Sequence, residues 1–138
     1  MPYPKSPYEK VGGMVYVARS LDKIRLFAAG NLPPEYHPYL GKGMDGRLMD
    51  FLHIEYARLV ERTLQGGSDE EILRWAFENG RMVNKTEIDI WNGFMTKRGL
   101  RDEGSAILDK FKKEGGLGNR ADVETFFEYY EVDEKRKP

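Results

Sequence analysis

The 138-residue chain contains no cysteine. That excludes disulfide staples, thiol nucleophiles, thiolate-bound metals and Fe–S clusters. Histidine is nearly as scarce. His37 and His53 are the two imidazoles, too few for a three-histidine metal site. No apolar run approaches the ~18 residues that signal a bilayer-spanning helix. The opening MPYPKSPYEK lacks the apolar stretch of a secretion signal, so no membrane partner is expected and the cytoplasm is the default location. An excess of one charge is missing too. With 22 Lys and Arg against 23 Asp and Glu, the net charge is -1, which creates no field to gather nucleic acid. Lys97, Arg98 and Arg101 cluster, as do Lys110, Lys112 and Lys113. Neighbouring acids balance them, so they read as solvated faces and no nucleic-acid partner is expected. No pattern calls for a cofactor.

What is present suits one compact domain: 40% hydrophobic and 33% charged residues, in a chain long enough to bury a sizeable core. Helix start and stop signals are frequent. Ser6-Pro7-Tyr8-Glu9 has the order of a capping box with proline at the first helical position. From it a long helix is expected to run to Ala29, with Gly30 as its stop. Shorter helices are expected over 45–52, 55–65, 68–80, 84–99, 102–114 and 120–131, with Ser68…Glu71 and Asn84…Glu87 as further capping boxes. No segment alternates with a period of two. The expected class is therefore all-α: a single compact domain of six or seven helices around a long central N-terminal helix. An ordered Pro/Gly-rich loop at 31–45 and loose ends at 1–5 and 132–138 complete it.

Most large apolar residues fall on helical stripes and read as core. Ile72, Trp75 and Ala76 form one such stripe, Ile88, Trp91 and Met95 another, and Val123, Phe126, Phe127 and Tyr130 a third. Gly12 and Gly13 inside the long helix each cost about 1 kcal/mol relative to alanine, which close backbone packing would explain.

Charge on the first helix is less ordinary. Continuing the Val11, Met14, Val15, Ala18 face by helical steps reaches Asp22 and Arg25. Arg19–Asp22 and Asp22–Arg25 are each three apart, so an Arg–Asp–Arg ladder is available. A buried, unpaired charge is expensive. Two readings follow: an ion pair tying this helix to another, or an anion site with Arg25 as the fork and Asp22 orienting it.

The loop that follows adds candidates. Gly41-Lys42-Gly43-Met44-Asp45-Gly46 matches G-x-G-x-x-G as a string. Pro33, Pro34 and Pro38 break the approach, no strand precedes it, and no βαβ unit can be built, so it is not a dinucleotide site. The glycine-rich backbone before a helix start, with Lys42 and Arg47, reads either as anion donors or as a tight loop over the core. His37 is a candidate general base, and Tyr36 and Tyr39 are candidate hydrogen-bond donors. A metal would need His37 beside Asp22, Asp45 or Asp50, and no local ligand spacing supports one.

The pattern SPYEKVGG, LDKIRL, PPEYHPYLGKGMDGR, GGSDEEIL-x-W, IWN-x-F and TFF-x-Y resembles a family of small bacterial proteins carrying a domain of unknown function. The resemblance covers nearly the whole chain and is most specific over Leu21–Leu52. It implies no activity or ligand. It marks Asp22, Lys23, Arg25, Tyr36, Asp45 and Gly46 as motif positions. A glycine often stands at position 53 in that pattern, which implies no catalytic role for His53.

Two functional classes follow. The first is a small-molecule or anion-binding domain, with or without catalysis. Its pocket lies between the first helix and the 31–47 loop, and Asp22, Arg25, Tyr36, His37, Lys42, Asp45 and Arg47 supply its groups. The second is a protein-interaction or self-association module presenting Phe27, Tyr39, Phe94 and Tyr129, with a homo-oligomer as one form.

Overall fold

The computed structural model describes residues 2–138. After a two-stranded hairpin, β1 (Lys10–Val11) and β2 (Met14–Val15), come seven α-helices. They are α1 (Val17–Ala28), α2 (Met44–Leu52), α3 (Tyr56–Leu64), α4 (Asp69–Asn79), α5 (Lys85–Lys97), α6 (Ser105–Glu114) and α7 (Phe126–Asp133). A 3-10 helix, Pro34–Tyr39, occupies the loop between α1 and α2. The helical class and the number of helices match the sequence reading. The one element of the wrong type lies near the N-terminus.

The expected long first helix is a hairpin followed by a 12-residue helix. Gly12 and Gly13 take positive φ angles of 57° and 82°, as the primed two-residue hairpin turns require. They pair Val11 with Met14 and Lys10 with Val15. A β-carbon on Gly12 would come within 2.8 Å of Leu73 Cδ2, so close packing is also real there. Ser6 caps no helix; its Oγ accepts from Tyr8 N at 3.2 Å in a local turn. Helix α5 holds the hairpin from outside: Trp91 Nε1 donates to Val15 O, and Asn92 accepts from Val15 N and donates to Gly13 O.

The two later capping boxes form as expected. Ser68 accepts from Glu71 N and Asn84 from Glu87 N, each reciprocated by the glutamate. One hydrophobic cluster joins the hairpin and α1 to α2–α7, and includes Val11, Met14, Leu21, Leu48, Ile72, Trp91, Met95 and Phe127. Trp91 stacks on Phe51 with centroids 4.9 Å apart, and Tyr16 on Phe127 at 6.0 Å. Among the described residues no helix is long and apolar enough to cross a membrane.

The expected loose ends are tied down on their inner parts. Lys5 N donates to Asp22, and Arg136 reaches Pro4 O. Glu134 is 3% exposed. Tail carboxylates facing a buried arginine are held by it, whatever the polarity of the surrounding sequence suggests.

Candidate functional site

Tyr16 precedes α1 with φ 75° and ψ -23°, a left-handed conformation that is an outlier for a bulky residue and marks positions worth a functional look. Its ring is buried, and its hydroxyl accepts from Lys23 Nζ at 3.0 Å, two turns along α1. Lys23 also pairs with Asp45 at 3.0 Å. Asp45 sits in the first turn of α2, is fully buried, and accepts from Ser20 Oγ and Gly41 N. Burial and the Asp45 charge push the Tyr16 phenol well above its ordinary range.

Beside this group lies a second buried network. Arg19 donates to both oxygens of Glu134, at 2.8 and 2.6 Å, and to Lys5 O at 3.1 Å. Its guanidinium lies 4.3 Å from the centroid of the Tyr130 ring. Its Nε is the one buried side-chain nitrogen without a partner among the described residues. Tyr36 donates to Glu134 at 2.6 Å, and Arg136 adds a further bond. Burial alone would raise the Glu134 carboxyl, but the Arg19 hydrogen bonds and charge, with Tyr36 and Arg136, hold it below the ordinary range. Burial and the neighbouring Glu134 push the Tyr36 phenol up.

These networks floor a cavity of about 530 Å³ between α1, the 35–47 segment, α6 and α7. Much of its wall is aromatic: Tyr39, Phe111, Phe126, Tyr129 and Tyr130. Lys42 and Arg47 stand on the α2 side, joined by Arg98 from just past α5. Glu35, Glu114 and Asp133 line it as carboxylates. The Asp133 carboxyl is raised by burial first, then by Glu134 and Glu35. The Tyr129 phenol is pushed up to about 12, again by burial first and Asp133 next. The lining includes no Ser, Thr, Cys or His among the described residues. No group of three His, Asp or Glu among them is arranged to hold a metal ion.

The structure therefore brings together part of the sequence-derived set. Tyr36, Lys42 and Arg47 line the cavity, and Asp45 lies beneath it, paired with Lys23. Asp22, Arg25 and His37 are elsewhere. Asp22 accepts from Lys5 N. Arg25 pairs with Asp69 at 2.7 Å and ties α1 to the start of α4. His37 meets Leu32 O at 2.9 Å and the Phe27 ring edge-on at 4.9 Å.

The reason is a phase error. Val11, Met14 and Val15 belong to the hairpin, so the helical steps from them to Asp22 and Arg25 do not follow one face of α1. On α1 the buried charges are Arg19 and Lys23, one turn apart. Glu134 and Asp133 were missed as tail residues. The Phe126, Phe127, Tyr130 spacing, carried one further turn along α7, reaches both and would have found them.

The whole-chain motif pattern has a counterpart. A family defined as a domain of unknown function (DUF5069) matches residues 1–136. The chain belongs to that family. No curated protein matches the chain. Of the motif positions marked earlier, Lys23, Tyr36 and Asp45 converge at or just under the cavity floor.

Proposed function

We propose that this DUF5069 chain binds a small molecule carrying an anionic group in the cavity between α1, the 35–47 segment, α6 and α7. The observation that carries the reading is a cavity of about 530 Å³ bearing cations free of carboxylate partners. Its size falls within the roughly 300–1,000 Å³ of ordinary ligand sites. Lys42 and Arg47 have no ion-pair partner among the described residues, and Arg98 meets Asp102 only at 3.8 Å. Arg47 and Arg98 also flank the Phe94 ring, at 5.1 and 5.4 Å from its centroid. The start of α2 opens at Gly43 with no side-chain cap, so its first-turn dipole adds to the same positive mouth. Among the described residues the hydroxyls lining the cavity are phenols, and no thiol or imidazole lines it.

A thermal-shift screen with inorganic phosphate and a panel of phosphorylated and carboxylated aromatic compounds tests this. A binder at about 100 times its Kd should add ~2.7 kcal/mol to stability. The K42A/R47A double variant, altered at two exposed positions, should keep its own melting temperature and lose the ligand-induced shift. A shift that survives in the double variant moves the ligand away from this mouth. No shift with any compound overturns the reading and turns attention to self-association through exposed Ile90, Met82 and Phe27.

A further inference from the structure

The α6–α7 wall of the cavity has a chemistry the cationic mouth does not use. Tyr39 meets Phe111 edge-on with centroids 5.8 Å apart, and Phe111 meets Phe126 at 5.9 Å and 78°. Tyr129 lies 6.2 Å from Phe111 and 6.0 Å from Tyr130, at 67° to the latter. Five rings thus line one side of one cavity, three of their four contacts at 67–78° and the Phe111–Tyr129 contact at 37°. Angled aromatic faces attract cations through their quadrupoles, most strongly where water is thin. One ring of this wall already makes the contact, with Arg19 over Tyr130 at 4.3 Å. Among the described residues no cation lies over Tyr39, Phe111, Phe126 or Tyr129.

Carboxylates share this wall. Glu35 and Asp133 line the cavity and have no ion-pair partner among the described residues. Asp133 is raised by burial first and then by Glu134 and Glu35, with Arg19 acting in the opposite sense, so the carboxylates on this wall repel one another. A cation at the rings would relieve that repulsion, while Lys42, Arg47 and Arg98 would repel the same cation from the mouth.

We infer that the ligand is a small zwitterion, with its anionic group at Lys42, Arg47 and Arg98 and an organic ammonium group against the Tyr39–Phe111–Tyr129 wall. This rests on the cavity being the binding site proposed above. Charge then sets the ligand's direction as well as its identity.

The test compares phosphocholine with 3,3-dimethylbutyl phosphate, the same shape with a neutral tert-butyl group replacing the trimethylammonium, by calorimetric titration. Phosphocholine should bind about ten-fold tighter. The E35Q/D133N variant should narrow that preference while keeping its affinity for the neutral analogue, the rings holding the remainder. Equal or tighter binding of the neutral analogue, still dependent on Lys42 and Arg47, overturns the zwitterion and leaves the anion site standing. Failure of both compounds and of inorganic phosphate at millimolar concentration overturns both. Sedimentation with phosphatidylcholine vesicles separates two sources of the same chemistry: pelleting assigns a lipid headgroup, and phosphocholine binding without pelleting assigns a free molecule.

Discussion

Arg19 and Glu134, 115 residues apart, form a two-pronged buried ion pair. Through it the start of α1 is fastened to the end of α7, and Tyr36 and Arg136 join the same carboxylate. A buried pair contributes little over a well-packed apolar one, but losing one partner strands the other charge, which costs about 3–5 kcal/mol. Glu134→Gln should therefore lower the unfolding free energy by about 3 kcal/mol at neutral pH, measured by urea denaturation. The Glu134 carboxyl is held below its ordinary range in the fold. Its stabilisation is thus complete above the unfolded value of about 4.3 and is lost as pH falls through the lower folded value. The gap between wild type and E134Q should narrow on acidification below about pH 4.3 and stay flat above it. A gap that instead widens in acid would mean the carboxyl is raised in the fold.

That pair also shows where sequence reading stops. Capping boxes at Ser68 and Asn84 form where expected, because each involves four consecutive residues and no tertiary partner. The hairpin is hidden because Gly12-Gly13, a hairpin-turn signal in its own right, sits between apolar residues whose spacing also suits a helix. A helix begun before the hairpin has its charged face at Asp22 and Arg25, whereas α1, begun at Val17, buries Arg19 and Lys23. The prolines and glycines over 31–45 rule out a long helix or a central strand, and the segment is a 3-10 helix and turns ahead of α2, lining one side of the cavity. The cavity's far wall is not legible in the sequence, because α6 and α7 are brought to it only by the packing of the core.

Two glycines should respond to alanine in opposite directions. Gly80 closes α4 against the α2–α3 corner, where a β-carbon would lie 2.1 Å from Leu52 O and 2.9 Å from His53 O. Those are backbone atoms and cannot rotate away, so Gly80→Ala should cost about 3 kcal/mol or more. Gly93 lies within α5 with nothing near its added β-carbon and no positive φ. Gly93→Ala should gain about 0.5–1 kcal/mol from helix propensity alone. Chemical denaturation of both variants reads the signs directly, and a neutral Gly80→Ala would show that the α2–α3 corner can shift.

Asp45 should prove structural even though it stands under the cavity. Its carboxylate receives Lys23, Ser20 and the Gly41 amide, all at 3.0–3.1 Å. Asp45→Asn strands the Lys23 ammonium and should cost about 3–5 kcal/mol. Ser20→Ala removes one hydrogen bond and should cost about 1 kcal/mol. In Ser20→Ala the Gly41 amide should stay protected from hydrogen exchange, because its own bond to Asp45 Oδ2 is untouched. Rapid Gly41 exchange in that variant would show that Ser20 is what holds the Asp45 carboxylate in place.

His53 and Tyr16 share a backbone conformation but should answer glycine substitution differently. His53 ends α2 at φ 57° and ψ 46°, with an exposed side chain, at the position where helices favour glycine. The left-handed conformation costs a side-chain-bearing residue about 1–2 kcal/mol, offset by the ~0.5–1 kcal/mol of extra freedom glycine brings to the unfolded chain. His53→Gly should therefore gain several tenths of a kcal/mol and leave ligand binding unchanged. Tyr16→Gly relieves the same strain at φ 75° but deletes a buried ring stacked on Phe127 and the hydroxyl that receives Lys23. Loss of a buried aromatic costs about 3–5 kcal/mol, so this variant should lose stability on balance. If urea midpoints rise for both, the Tyr16 ring contributes less than its strained backbone costs.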